Sequence, residues 1–197
     1  MITRVRQYGK REPSRDAHKI YVICEGSSDE PHYFDFFAGL SSNLNVIPIP
    51  SENGETDPVK LSMQAESLFA KDDGKYNLDY SEGDRVWFVV DTDWNVAQSN
   101  PSFEIWKYYH IYDKAPDDKE VELSASFKQF VDTKITGGFK NESDPVRLKS
   151  AIANASANFG TDKEGCLLLF ATEVFLLGQE IYGFVSGEIA KLLNKLR

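Results

Sequence analysis

The sequence predicts an α/β fold: a parallel sheet flanked by helices, with a mostly helical C-terminal part. Three observations predict it. Apolar runs rich in β-branched and aromatic residues stand at 19–24, 45–50 and 85–93. Stretches with apolar residues at helical spacing separate them. The last run, RVWFVVDTD, is apolar on consecutive positions, as a strand covered on both faces should be. Strands that alternate with helices pair in parallel through right-handed crossovers. A chain of 197 residues amounts to about one ordinary domain and buries a core of its own.

Residues 1–17 read as a polar, mobile, basic arm. HKIYVICEG then makes a short buried strand that stops at glycine. Ser28 is placed to cap a helix to about residue 40, with Asp29 and Glu30 in its first turn and Pro31 tolerated there. NVIPIP is a second strand, and its prolines place it at an edge. Asp57 caps a helix from Pro58 to about Lys71. NVAQS, at 95–99, reads as a further strand, yet almost nothing separates it from DTDW. A parallel neighbour needs a crossover of roughly a dozen residues. The spacing therefore leaves two readings, an antiparallel pair through a very tight turn or residues missing between Trp94 and Asn95, and the second is favoured. Asn100-Pro101 looks like a cap followed by proline at the first helical position, opening a helix to about residue 113. APDDKEVE reads as loop, and helices are expected at about 124–134, 144–158 and 172–195. The domain plan is thus an arm at 1–17, a catalytic core at 18–113 and a helical part at 114–197 packed on the same domain.

Composition excludes several classes. No run approaches the ~20 apolar residues that span a bilayer, and the basic opening has no apolar segment behind it to make a signal peptide. Only Cys24 and Cys166 are present, too few for a disulfide framework or a four-cysteine zinc site, so a cytoplasmic, non-membrane protein is expected. Net charge is −9. Residues 1–19 hold six basic side chains against two acidic ones, a local +4 that leaves −13 on the rest. Such a body does not attract nucleic acid by its overall field. It can hold phosphates if its carboxylates carry divalent cations and the arm supplies counter-charge.

Acidic residues stand where ligands bind in open α/β sheets, at the carboxyl ends of strands. Glu25 follows the first strand, and Asp91 and Asp93 close the third. Residues two apart on an extended backbone face one way, so this pair suits one cation, and Mg²⁺ takes one or two carboxylates plus waters and phosphate oxygens. Glu25 completes the site or moves a proton. Gly26 lets the chain turn tightly beside it. Glu104, with Asn100 near it at the next helix start, is a further candidate ligand or orienting group. Phe103, Trp106, Tyr108 and Tyr109 are expected in the core, and His32 and His110 are expected to be structural.

YVICEGSSDEPHYFDFF, VWFVVDTD and VAQSNPSFEIWKYYH, behind a basic arm, together resemble the RloB-like branch of Toprim-fold proteins, relatives of OLD-type nucleases. The resemblance covers roughly residues 4–113, with TEVFLLGQEIYGFV similar to the family's closing helix. It implies a Mg²⁺- or Mn²⁺-dependent nuclease acting on RNA or DNA, often an effector beside an ABC-type ATPase in phage-defence or abortive-infection systems. It implies Glu25 as acid/base or metal ligand and Asp91 and Asp93 as metal ligands. Family members carry a helix between the DxD and SNPxFE motifs that is lacking here. Arg4, Arg6 and Arg11 would then neutralise the nucleic-acid backbone, which positions a substrate without reading its sequence. A homo-oligomer is compatible with all of this. Two rivals remain: a non-catalytic partner module of an ATPase, and a haloacid-dehalogenase-like phosphohydrolase. The second is disfavoured because its nucleophilic Asp should follow the first core strand, and here two strands precede it.

Overall fold

The structure is a computed structural model and describes residues 10–52, 57–91 and 97–196. Its sheet has four parallel strands, β1 (His18–Cys24), β2 (Leu44–Ile49), β3 (Arg85–Asp91) and β4 (Ala97–Ser99), in the order β2-β1-β3-β4. The helices are α1 (Asp29–Asp35), α2 (Pro58–Leu68), α3 (Glu104–Tyr109), α4 (Asp118–Glu122), α5 (Phe127–Lys134), α6 (Leu148–Ala157) and α7 (Val174–Leu196).

Alternation along β1 sorts the core into two faces. Tyr21 and Ile23 meet Leu61 and Ala65 of α2, while Ile20, Val22 and Cys24 face the larger core built with α1, α3, α5, α6 and α7. That larger core includes residues from 20 to 192, so the C-terminal helices share the first half's hydrophobic interior. Phe103, Trp106, Tyr108 and Tyr109 are all buried in it, as their spacing predicts.

Several boundaries differ from expectation, each for a local reason. Asn100-Pro101 does not open a helix. Its peptide bond is cis, and Asn100 is tied sideways, its backbone N–H donating to the Ala171 carbonyl at 2.9 Å and its side-chain amide to the Leu167 carbonyl at 2.9 Å. Residues 171–173 thereby cover the outer edge of β4, with Ser99 and Thr172 bridged and the Glu173 N–H bonded to the Gln98 carbonyl at 2.7 Å. Helix α3 starts at Glu104 instead. Within the expected APDDKEVE loop, Asp117 caps the short α4 through Lys119 and Glu120. The expected 144–158 helix begins as a 3-10 turn at Asp144–Arg147. Asp57 does cap α2, accepting from the Val59 N–H at 2.8 Å.

Strand β4 pairs with β3 in parallel, which overturns the antiparallel alternative. The register sets Ala97 beside Val89, two residues below the end of β3. At the usual rise and strand spacing the ends to be joined are only about 8 Å apart. Residues 92–96, with Asp93, lie outside the described residues.

Candidate functional site at the carboxyl edge of the sheet

Because β1 and β3 are neighbours, their carboxyl ends deliver Glu25 and Asp91 to the same place. The Glu25 N–H continues the ladder to the Val89 carbonyl at 3.0 Å, and its carboxylate Oε2 accepts the Asp91 N–H at 2.7 Å. Asp91 Oδ1 in turn accepts the Phe103 N–H at 2.9 Å, so the first turn of α3 is hung from the end of β3. Glu104, one residue on, is held by the Ser102 hydroxyl donating to its Oε2 at 2.5 Å.

Helix α1 adds two carboxylates. Asp29 takes Lys107 Nζ at 3.3 Å and Lys128 Nζ at 2.7 Å on its two oxygens, and Lys128 also lies 3.8 Å from Glu104. Glu30 folds back over Gly26, where any Cβ would collide with its carboxylate. A side chain at 26 would push the Glu30 carboxylate aside.

The electrostatics follow from crowding. Burial, then the charges of Glu25, Glu30 and Glu104, push the Asp91 carboxyl up to about 7. Burial, with Asp29 and Glu104 nearby, also raises Glu30, although Lys107 opposes this. The same neighbour, Glu30, adds to burial in pushing the Cys24 thiol well up, which keeps it inert. Asp29 behaves oppositely: burial works against its charge, but Lys128 and Lys107 hold it below the ordinary carboxylate range.

The structure brings Glu25, Asp91 and Glu104 into one neighbourhood, and adds to them Asp29 and Glu30, which the sequence reads as first-turn helix residues, together with Lys107. The signal for Glu30 was present: Glu25-Gly26 followed by an acid in the first turn of α1. Asp93, Arg4 and Arg6 lie outside the described residues. Arg11 stands elsewhere. Its N–H bonds the Gly39 carbonyl at 2.8 Å and its guanidinium lies 3.9 Å from Glu188, behind the C-terminal end of α1 and away from the carboxyl edge. Asn100 is occupied as a brace, as described above. Buried His110 is structural as expected, with Nε2 3.0 Å from the Tyr33 hydroxyl and Nδ1 2.9 Å from the Trp106 carbonyl.

Among the described residues no three His, Cys, Asp or Glu side chains form a ready-made metal cage. The chemistry of the donors nevertheless suits a hard divalent cation. Glu25 and Asp91 are half-buried oxygens with mutual repulsion to relieve, and Mg²⁺ needs only one or two such carboxylates beside its waters. No helix among the described residues is long and apolar enough to cross a membrane.

Carboxylates gathered where parallel strands end define an α/β protein with a candidate ligand site at the carboxyl edge of its sheet. Within that class the chain belongs to the RloB-like family. It matches the family described as RloB-like protein over residues 20–181, a span that runs from β1 into α7 and contains every carboxylate of the cluster. No curated protein and no solved structure matches it.

Proposed function

We propose that the protein is a Toprim-like, metal-dependent nuclease that hydrolyses phosphodiester bonds of RNA or DNA as an effector of an ATPase-linked phage-defence system. One observation carries the reading: Glu25 and Asp91 stand at adjacent strand ends, joined by the Asp91 N–H to Glu25 Oε2 at 2.7 Å, with Glu30 and Glu104 near enough to help push the Asp91 carboxyl up. A divalent ion held by Asp91 and Glu25, with Asp93 as a further ligand, would activate water and neutralise the phosphoryl oxygens. The chain's own part is positional. The Asp91 N–H fixes the Glu25 carboxylate, the Phe103 N–H fixes Asp91, and the remaining Glu25 oxygen is placed to take or return a proton at the strand ends. Glu104 and Glu30 extend the negative surface on the α1–α3 side. Arg4 and Arg6 would contribute phosphate contacts, and an ABC-type ATPase partner would supply control.

Cleavage of RNA and DNA panels with Mg²⁺ or Mn²⁺ tests this directly. Asp91→Ala is expected to lower cleavage about a hundredfold or more. Equal activity in the two proteins ends the catalytic assignment. Co-purification with an ATPase in a protein that binds no metal would turn the reading to a regulatory module.

A further inference from the structure

The carboxylate cluster is divided into two unlike halves. On the β1–β3 side, Glu25 and Asp91 are joined through backbone amides and no cationic side chain pairs with either among the described residues. On the α1–α3 side, Asp29 and Glu104 are already met by two lysines. The lysines differ. Lys128 reaches in from α5 and is 59 % exposed, whereas the Lys107 side chain is only 8 % exposed.

A lysine so enclosed is costly unless its charge is matched. Lys107 finds the match in Asp29 at 3.3 Å and against the faces of Phe103 and Phe139, whose centroids lie 5.7 and 6.0 Å away. It grows from α3, the helix whose first turn holds Asp91, so the lysine and that carboxylate are tied to one element. It also faces Glu30, whose charge it favours.

We propose that Lys107 is a resident cation of the cluster, a positioning residue that occupies the Asp29–Glu30 side of the α1–α3 half permanently. A divalent ion is thereby directed to the Glu25–Asp91 half, one ion per chain. The proposal rests on the metal-site reading above but not on nuclease activity. It makes Lys107 stand where a second metal ion would otherwise be drawn, and its positive charge weakens cation binding next door.

Mn²⁺ titration by calorimetry, without nucleic acid, tests it. Wild type is expected to take one ion per chain. Lys107→Met, which keeps the buried stem and removes the charge, is expected to take a second ion or to bind the first on the order of tenfold more tightly. Lys107→Arg is expected to return to one ion. Two ions in wild type, no ion in wild type, or a cooperatively melting Lys107→Met protein with unchanged number and affinity each overturns the proposal. Should Lys107→Met not fold, the wild-type count still decides, together with Lys128→Gln, which is exposed and is expected to tighten Mn²⁺ binding by a smaller factor. Mn²⁺ bound as described by a protein that cleaves nothing would sink the nuclease reading and leave Lys107 in its role.

Discussion

Asp91 and His110 respond to pH in opposite senses, and the sign of each follows from what surrounds it. An unfolded Asp titrates near 3.9, whereas folded Asp91 is pushed up to about 7 by burial and by Glu25, Glu30 and Glu104. Between about pH 4 and 7 the folded chain binds more protons than the unfolded chain, so this group's contribution is full below that window and is lost as pH rises through it. Metal-free Asp91→Asn is therefore expected to melt higher than wild type at pH 8 and level with it at pH 4. Equal melting temperatures at pH 8 would remove the crowding argument. His110 is buried as the neutral ring, and burial pushes it down to about 3. Its stabilisation is present above about 6.5 and is lost as pH falls towards 3. In the Asp91→Asn background, where the opposing slope is gone, urea unfolding at pH 7 and 4.5 should show a stability difference that shrinks in His110→Phe. An unchanged difference would place the acid sensitivity elsewhere.

At the scale of elements, β3 is anchored at both ends by carboxylates that do different things. Asp84, just before it, is 1 % exposed and accepts from the Lys19 N–H at 3.1 Å, Lys19 Nζ at 3.1 Å and the Asp79 N–H at 3.0 Å. Every nearby donor points at it, and removing it leaves them unpaired. Asp84→Ala should cost about 3 kcal/mol in urea unfolding while leaving Mn²⁺ affinity alone, because it sits at the amino edge. A change in Mn²⁺ affinity would mean the two edges are coupled. The contrast also explains what was legible. Asp91 and Glu25 announce themselves because a charged residue directly after an apolar run can only stand at a strand end. Helix α3 was misplaced because Asn-Pro fits the chemistry of a helix start equally well when, as here, a distant segment at 167–171 takes the Asn amide and N–H. Glu30 and Lys107 were hidden by helical periodicity itself. An acid in a first turn and a lysine in an aromatic run look solvated until the sheet brings α1 and α3 together.

At the scale of the whole molecule, carboxylates concentrate at one edge of the sheet among the described residues. The carboxyl edge collects Glu25, Asp29, Glu30, Asp91 and Glu104, while Lys10 and Arg11 are bound over the other end of α1, to Asp35 and Glu188. With a net charge of −9, repulsion at the cluster adds to repulsion across the surface, and salt weakens the second far more than the first, since buried pairs are poorly screened. Raising monovalent salt from low to about 0.5 M, where the screening length falls to a few ångströms, is thus expected to raise the melting temperature of the metal-free protein only modestly. Mn²⁺ acts by binding instead. At about a hundred times its dissociation constant it adds about 2.7 kcal/mol to the folded state, a gain that persists in high salt to the extent that the site is enclosed. Below pH 7 the gain should fall, because Asp91 must lose its proton before it can take the ion. Thermal melts with and without Mn²⁺ at pH 5.5 and 8, in low and high salt, separate the two effects. A Mn²⁺ shift that is the same at both pH values, or that high salt abolishes, would assign the ion to the general acidic surface and not to the strand ends.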